Sequence, residues 1–197
     1  MNARIGQSNR QSRETQIDVE INLDGRGIVD ISTGLPFMDH MLEGFARHGY
    51  FDLRVKAVGD LEIDAHHTME DTGIVMGQAI RAAVGDREGI CRFGYFLLPM
   101  DEALARCALD LSGRPHLSYT MCPAEAVAGG MPIRLFREFF QALVNSASLT
   151  LHIDQLAGVE AHHCLEAAFK AFGKALDAAT RPEPRCQGVP STKGMLD

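Results

Sequence analysis

The residues of this chain with the most chemistry in them are two adjacent-histidine pairs, His66-His67-Thr68-Met69-Glu70 and His162-His163-Cys164-Leu165-Glu166. On a helix, positions i and i+4 share a face, so His66 and Glu70 can grip one ion together, as can His162 and Glu166. Successive residues diverge by about 100° around a 3.6-residue turn, so His67 and His163 must point elsewhere. Two ions follow. If the halves are related by a pseudo-twofold axis, the simplest sharing crosses the copies: His66, Glu70 and His163 at one metal, His162, Glu166 and His67 at the other. One such pair is readily explained as a helix cap or a salt bridge. Two pairs with Glu at the same offset point to an internal duplication and a site built from both copies.

A further ligand comes from the preceding helix of each half. Phe37-Met38-Asp39-His40-Met41-Leu42 aligns with Leu135-Phe136-Arg137-Glu138-Phe139-Phe140, which groups His40 with His67, His162 and Glu166, and Glu138 with His66, Glu70 and His163. Imidazole and carboxylate without thiolate suit Mn(II), Fe(II), Ni(II) or Zn(II). Asp71 either orients a ligand from behind or starts its helix favourably. His48, His116 and His152 have no comparable partners and read as ordinary histidines.

Elements of the right kind stand in the right order to position these groups. Ile17, Val19, Ile21 and Leu23 alternate over 15–23, and Asp24-Gly25 turns the chain before 27–32, which predicts a hairpin. Helical spacing begins at Pro36 and stops at Gly49. Alternation resumes over 51–59, with 61–63 as an extension, and the first His-His opens a helix to about Ala83. In the second half, 92–100, 103–111 and 116–121 predict strands, and 123–132 predicts a loop. A helix over 133–146, a strand over 149–153 and a helix over 161–179 complete it. The expected fold is an internally duplicated α+β sandwich, with halves at about 12–90 and 91–180 in a single domain. Each half is a sheet with helices on one face. The Pro-rich tail, 181–197, is expected to form an ordered arm that delivers Ser191 and Lys193.

Composition narrows the function. A net charge of −7 and the lack of a basic run interleaved with aromatics argue against nucleic acid. No apolar run approaches the roughly 18 residues needed to cross a bilayer. Five scattered cysteines with no Cys-x-x-Cys pair fit a reducing cytoplasm rather than a disulfide framework. The first fourteen residues lack the apolar core of a targeting signal and are expected to form a loose terminal arm.

Seven ordered motifs then carry a resemblance over roughly residues 12–196: Leu-Pro-Phe-Met-Asp-His-Met-Leu, His-His-Thr-Met-Glu-Asp, Arg-Phe-Gly, Pro-Met-Asp-Glu-Ala, Asp-Leu-Ser-Gly-Arg-Pro, Ala-His-His-Cys-Leu-Glu-Ala-Ala-Phe-Lys-Ala and Val-Pro-Ser-Thr-Lys-Gly. Together they resemble the imidazoleglycerol-phosphate dehydratases of histidine biosynthesis. The resemblance implies a duplicated fold of the ribosomal-protein-S5 second-domain type. It also implies two Mn(II) per active site and an octahedral homo-oligomer of 24 subunits with active sites between them. It assigns His40, His67, His162 and Glu166 to one manganese, and His66, Glu70, His163 and the place held by Glu138 to the other. It adds substrate contacts by Glu14, Arg92, Arg114, Lys170, Ser191 and Lys193. The expected reaction removes water from D-erythro-imidazoleglycerol phosphate to give imidazole-acetol phosphate. In it, two metals hold the ring as imidazolate, a carboxylate takes the C2 proton and the C3 hydroxyl leaves. Glu14, Glu70, Glu166 and His40 are the acid–base candidates. Two rivals remain: a di-metal phosphate-ester hydrolase, which would release free phosphate, and a non-enzymatic assembly protein stapled by metal.

Overall fold

The structure, a computed structural model, describes residues 3–196. Each half lays down three strands, a helix, a strand and a helix. The first half comprises β1 (Ile5–Gln11), β2 (Thr15–Asn22), β3 (Val29–Ser32), α1 (Pro36–Gly49), β4 (Asp52–Gly59) and α2 (His66–Val84). The second comprises β5 (Phe93–Met100), β6 (Ala103–Asp110), β7 (His116–Thr120), a small ladder of β8 (Val127–Ala128) and β9 (Met131–Pro132), then α3 (Arg134–Ala147), β10 (Thr150–Ala157) and α4 (Ala161–Thr180). The two large sheets have the same strand order, β1-β2-β4-β3 and β5-β6-β10-β7. Their registers match as well: Ile5 pairs with Asn22 as Phe93 pairs with Asp110.

The helices of each half cover one face of its sheet, and the two helical layers meet, α1 against α4 and α2 against α3. Phenylalanines fill this seam. Phe45 stacks on Phe172 across it with centroids 5.0 Å apart, and beside it, within the second half, Phe139 stacks on Phe169 at 5.7 Å. All four are fully buried, each worth roughly 1.5–3 kcal/mol of apolar transfer. The duplicated sandwich expected from the sequence is therefore present. No helix among the described residues is long and apolar enough to cross a membrane.

Four expectations are corrected. Residues 5–11 are not a loose arm but an edge strand antiparallel to β2. Its buried position is Gly6, where a Cβ would fall 1.9 Å from the Ala79 carbonyl oxygen of α2. A strand that must admit a helix backbone so closely carries no apolar alternation to read. The segments 15–23 and 27–32 do not form a hairpin; β2 pairs with β1 and β4, and β3 runs parallel to β4 on its far side. The Asp24-Gly25 turn only starts a longer excursion, fixed where Asp52 accepts the Arg26 and Ile28 N–H groups. Residues 61–63 are a turn rather than an extension of β4, and the expected loop 123–132 contains the β8–β9 ladder. Across its described residues the tail has no helix, only an isolated bridge between Ile90 and Pro182.

Candidate metal and substrate site

The histidine pairs open α2 and α4, and acidic side chains hold both helix starts. Asp64 accepts the His66 N–H at 2.6 Å, and Glu160 accepts those of His162 and His163 at 3.1 and 2.7 Å. Each carboxylate satisfies amides that have no partner within the helix. On α4, His162 and Glu166 share a face as their spacing requires, with Nε2 3.1 Å from Oε2. His40 of α1 reaches the same oxygen at 3.2 Å. The candidate ligand atoms of His40, His162 and Glu166 lie within 4.8 Å of one another, the one such group among the described residues. Phe37, one turn before His40, packs edge-on against the His162 ring at 5.1 Å.

Two imidazoles and a largely buried carboxylate make a nitrogen–oxygen donor set that fits a divalent transition metal. Lys170 Nζ sits 2.6 Å from the other Glu166 oxygen. Burial alone pushes the Glu166 carboxyl up; the Lys170 ammonium and His40 outweigh it and hold the group below the usual carboxylate range. Glu166 is thus ionised and ready to ligate.

The pseudo-equivalent group on α2 and α3 is less drawn together. His66 Nε2 lies 3.3 Å from Glu70 Oε2, while Glu138 is turned to Arg137 at 3.7 Å. The place of Lys170 is held in this half by Ile74, so no cation stands beside Glu70 as Lys170 stands beside Glu166. His67 and His163 face away from both groups, toward the strand turns. His67 Nδ1 pairs with Asp60 at 3.0 Å and has Glu14 at 3.9 Å; His163 Nδ1 pairs with Glu102 at 2.9 Å. Asp60 raises the His67 pKa, as Glu102 raises that of His163, and Glu102 is itself pulled down to about 2 by that hydrogen bond. A carboxylate on Nδ1 fixes the ring and leaves Nε2 for a metal. Sequence reasoning did not pick out Asp60 or Glu102; the Glu102 signal was its place in Pro-Met-Asp-Glu-Ala.

The expected phosphate group lies elsewhere. Arg92 forks onto Asp110 at 2.7 and 3.0 Å and donates to the Pro190 carbonyl at 2.7 Å, which ties down the tail beside Ser191. Ser191 Oγ in turn accepts the Lys193 N–H at 3.2 Å. Asp110 pairs with Thr150, whose hydroxyl donates to the Arg114 carbonyl. These four residues therefore belong to one end of the second sheet. That end lies at the C-terminus of α4, where the Arg92 N–H meets the Ala179 carbonyl. From Glu166 to Ala179 is 13 helical residues, or roughly 20 Å at 1.5 Å each. Of the expected substrate contacts, only Lys170 is near the histidine–glutamate cluster of its own chain. Asp71 touches no histidine; it binds Thr15 and Arg10.

A duplicated α+β fold with an imidazole–carboxylate cluster that could hold a metal ion at its helical seam narrows the class of protein, and similarity to known proteins specifies it. The imidazoleglycerol-phosphate dehydratase family matches residues 33–176. The dehydratase of Thioalkalivibrio sulfidiphilus is 55% identical over all 197 residues of this chain and its own full length. That of Nitrosomonas europaea is 53% identical over 194 residues, covering 98% of each chain. Among solved structures, the Staphylococcus aureus dehydratase superposes with a TM-score of 0.81 at 39% identity, over 90% of this chain and 99% of that one. The Pyrococcus furiosus dehydratase gives 0.83 at 39%, over 95% and 99%. The chain belongs to the imidazoleglycerol-phosphate dehydratase family and is a lyase.

Proposed function

We propose that this chain converts D-erythro-imidazoleglycerol phosphate to imidazole-acetol phosphate at a site holding two Mn(II) ions. The observation that carries this reading is the His40–His162–Glu166 cluster, in a chain similar over its full length to dehydratases. His40, His67, His162 and Glu166 would hold one ion, and His66, Glu70, Glu138 and His163 the other. When bound, the ions supply Lewis acidity to the electron-rich imidazole of the substrate.

The remaining work falls to the protein's own residues. Glu14, exposed and 3.9 Å from His67, is the base for the C2 proton. Lys170 keeps Glu166 ionised and presents an ammonium to the substrate. Arg92, Arg114, Ser191 and Lys193 take the phosphate, with the Arg92 guanidinium oriented by Asp110 and left with its outer N–H groups to donate. A separation of roughly 20 Å along α4 is too long for this substrate to bridge within one chain. The site is therefore completed between copies, one contributing the cluster and another His67, Glu14 or the phosphate group. A closed octahedral assembly of 24 chains satisfies this sharing.

The test is to strip the metal, restore Mn(II), and analyse the products from imidazoleglycerol phosphate. The dehydratase gives the ketone without inorganic phosphate. Release of phosphate would instead establish the hydrolase reading, and light scattering at the mass of a monomer would remove the shared site.

A further inference from the structure

The two halves place a glutamate at the same point of the same turn and use it differently. Matching registers make Glu14, between β1 and β2, the counterpart of Glu102, between β5 and β6. Glu102 is occupied with His163 at 2.9 Å, whereas Glu14 stands 3.9 Å from His67, whose Nδ1 goes to Asp60. The counterpart of Asp60 is Val159: each follows a glycine, Gly59 close to Thr68 and Gly158 close to Cys164, residues that match between α2 and α4. Asp60 thus takes the ring's hydrogen bond and leaves the Glu14 carboxylate only a longer 3.9 Å contact with it.

Beneath Glu14 lies a polar chain that the second half lacks. Asp71, 8% exposed, accepts the Thr15 hydroxyl at 2.5 Å, and its other oxygen pairs with Arg10 at 3.0 Å. Thr15 Oγ1 is 3.2 Å from Ser12 Oγ, which accepts the N–H groups of Glu14 and Thr15 at 3.1 and 3.0 Å. In the second half the places of Arg10, Ser12, Thr15 and Asp71 are held by Leu98, Met100, Ala103 and Ala167. That half builds the same strand pair on the same kind of helix without any of these polar groups. The fold does not require the buried carboxylate, and burying one is costly unless it is fully partnered. Its presence under Glu14 alone calls for another reason.

We propose that Asp71, acting through Thr15 and Ser12, is a positioning residue that fixes the Glu14 backbone and so aims its carboxylate; this rests on the reading of Glu14 as the base. The Glu14 side chain is long and exposed, so a fixed turn is what limits where its oxygens go.

The experiment uses the metal-loaded, full-length protein and the double substitution Thr15→Ala with Asp71→Ala, which installs the residues of the second half. Removing both partners avoids stranding a buried polar group. The expected result is a melting midpoint and metal content like those of the parent, KM within about threefold, and kcat and C2-hydrogen exchange with solvent each down about 10- to 100-fold. Thr15→Ser, which keeps the hydroxyl, restores near-parental rates. Ser12→Ala, at an exposed position, lowers kcat in the same direction, so the proposal remains testable if the double variant folds poorly. Adding Glu14→Gln to the double variant costs no more than Glu14→Gln alone. Unchanged kcat and exchange in both Ser12→Ala and the double variant, with Glu14→Gln inactive, would overturn the positioning role while leaving the base in place. Loss of metal in proportion to loss of rate would also overturn it. Retained exchange in Glu14→Gln would remove the base reading and the positioning role together.

Discussion

A Cβ on Gly173 would lie 2.3 Å from the backbone oxygen of Phe45, so α4 and α1 touch backbone to backbone about two turns along α4 from Glu166. The pseudo-equivalent contact is almost the same: a Cβ on Gly77 would lie 2.4 Å from the oxygen of Leu143, between α2 and α3. Helices this close bring His40 to 3.2 Å from Glu166 although they leave the chain 126 positions apart.

Gly173→Ala should therefore act at a distance. The added methyl forces α1 away from α4, at a cost of about 1–3 kcal/mol for overpacking. It also widens the gap between His40 and Glu166. Thermal melting checks the first effect and calorimetric Mn(II) titration the second. Lower stability with unchanged metal affinity would show that the helix spacing does not set the cluster.

Glu166→Gln removes a proposed ligand and strands the Lys170 ammonium, which is 19% exposed. Metal content by elemental analysis should fall and turnover should drop about 100-fold or more. Glu70→Gln should do the same if the α2 group holds the second ion. Full turnover with normal manganese in either variant would remove the crossed-ligand arrangement.

How much of this was legible in the sequence follows from which signals are local. The His-His-x-x-Glu spacing and its repetition are local, and so are the apolar periods of α1 to α4, so the duplicated sandwich and the ligand candidates could be read directly. β1 could not, because its one buried position is Gly6 and, apart from the exposed Ile5, its other residues are polar. The partner of β3 could not either, since a turn at Asp24-Gly25 looks alike whether the next strand returns beside β2 or crosses to β4. The carboxylates behind His67 and His163 come from neighbouring turns and carry no periodic signal. Nor does sequence order hint that Arg92, Arg114 and Ser191 sit at the far end of α4 from Glu166.

A pH dependence of stability follows from Asp154 in β10. It accepts from Thr120 in β7 at 2.6 Å and from Arg106 in β6 at 2.9 Å, bracing three strands. The Thr120 hydroxyl first, and then the Arg106 guanidinium, hold its carboxyl below the usual value of 3.8. At pH values between the folded and unfolded pKa, the unfolded chain binds more protons, so stability rises with pH there. The contribution is fully present above about pH 3.8 and is lost as pH falls through the folded value. Asp154→Asn should cost about 1–2 kcal/mol at pH 7 in urea melts of the metal-free protein. The difference should shrink toward zero in acid; one that stays constant down to pH 2 would mean that charge is not its source.

The separation along α4 gives the most direct check on how the site is completed. Lys193→Ala leaves the histidine–glutamate cluster intact and should raise KM about tenfold or more, with metal content unchanged. Glu166→Gln leaves the phosphate group intact and abolishes metal binding at its own cluster. If each chain contributes these parts to different sites, a mixed assembly of the two variants contains some sites whose cluster comes from the Lys193→Ala chain and whose phosphate group comes from the Glu166→Gln chain. Those sites are complete, so co-refolded mixtures should recover activity at low substrate that neither variant has alone, rising with the mixing ratio to a maximum near equal amounts. Recovery needs no new contact, only exchange of chains before assembly. Mixtures no more active than the sum of their components, with hybrid assemblies confirmed by mass, would place every catalytic part in one chain and require the tail to leave Arg92 and travel the length of α4.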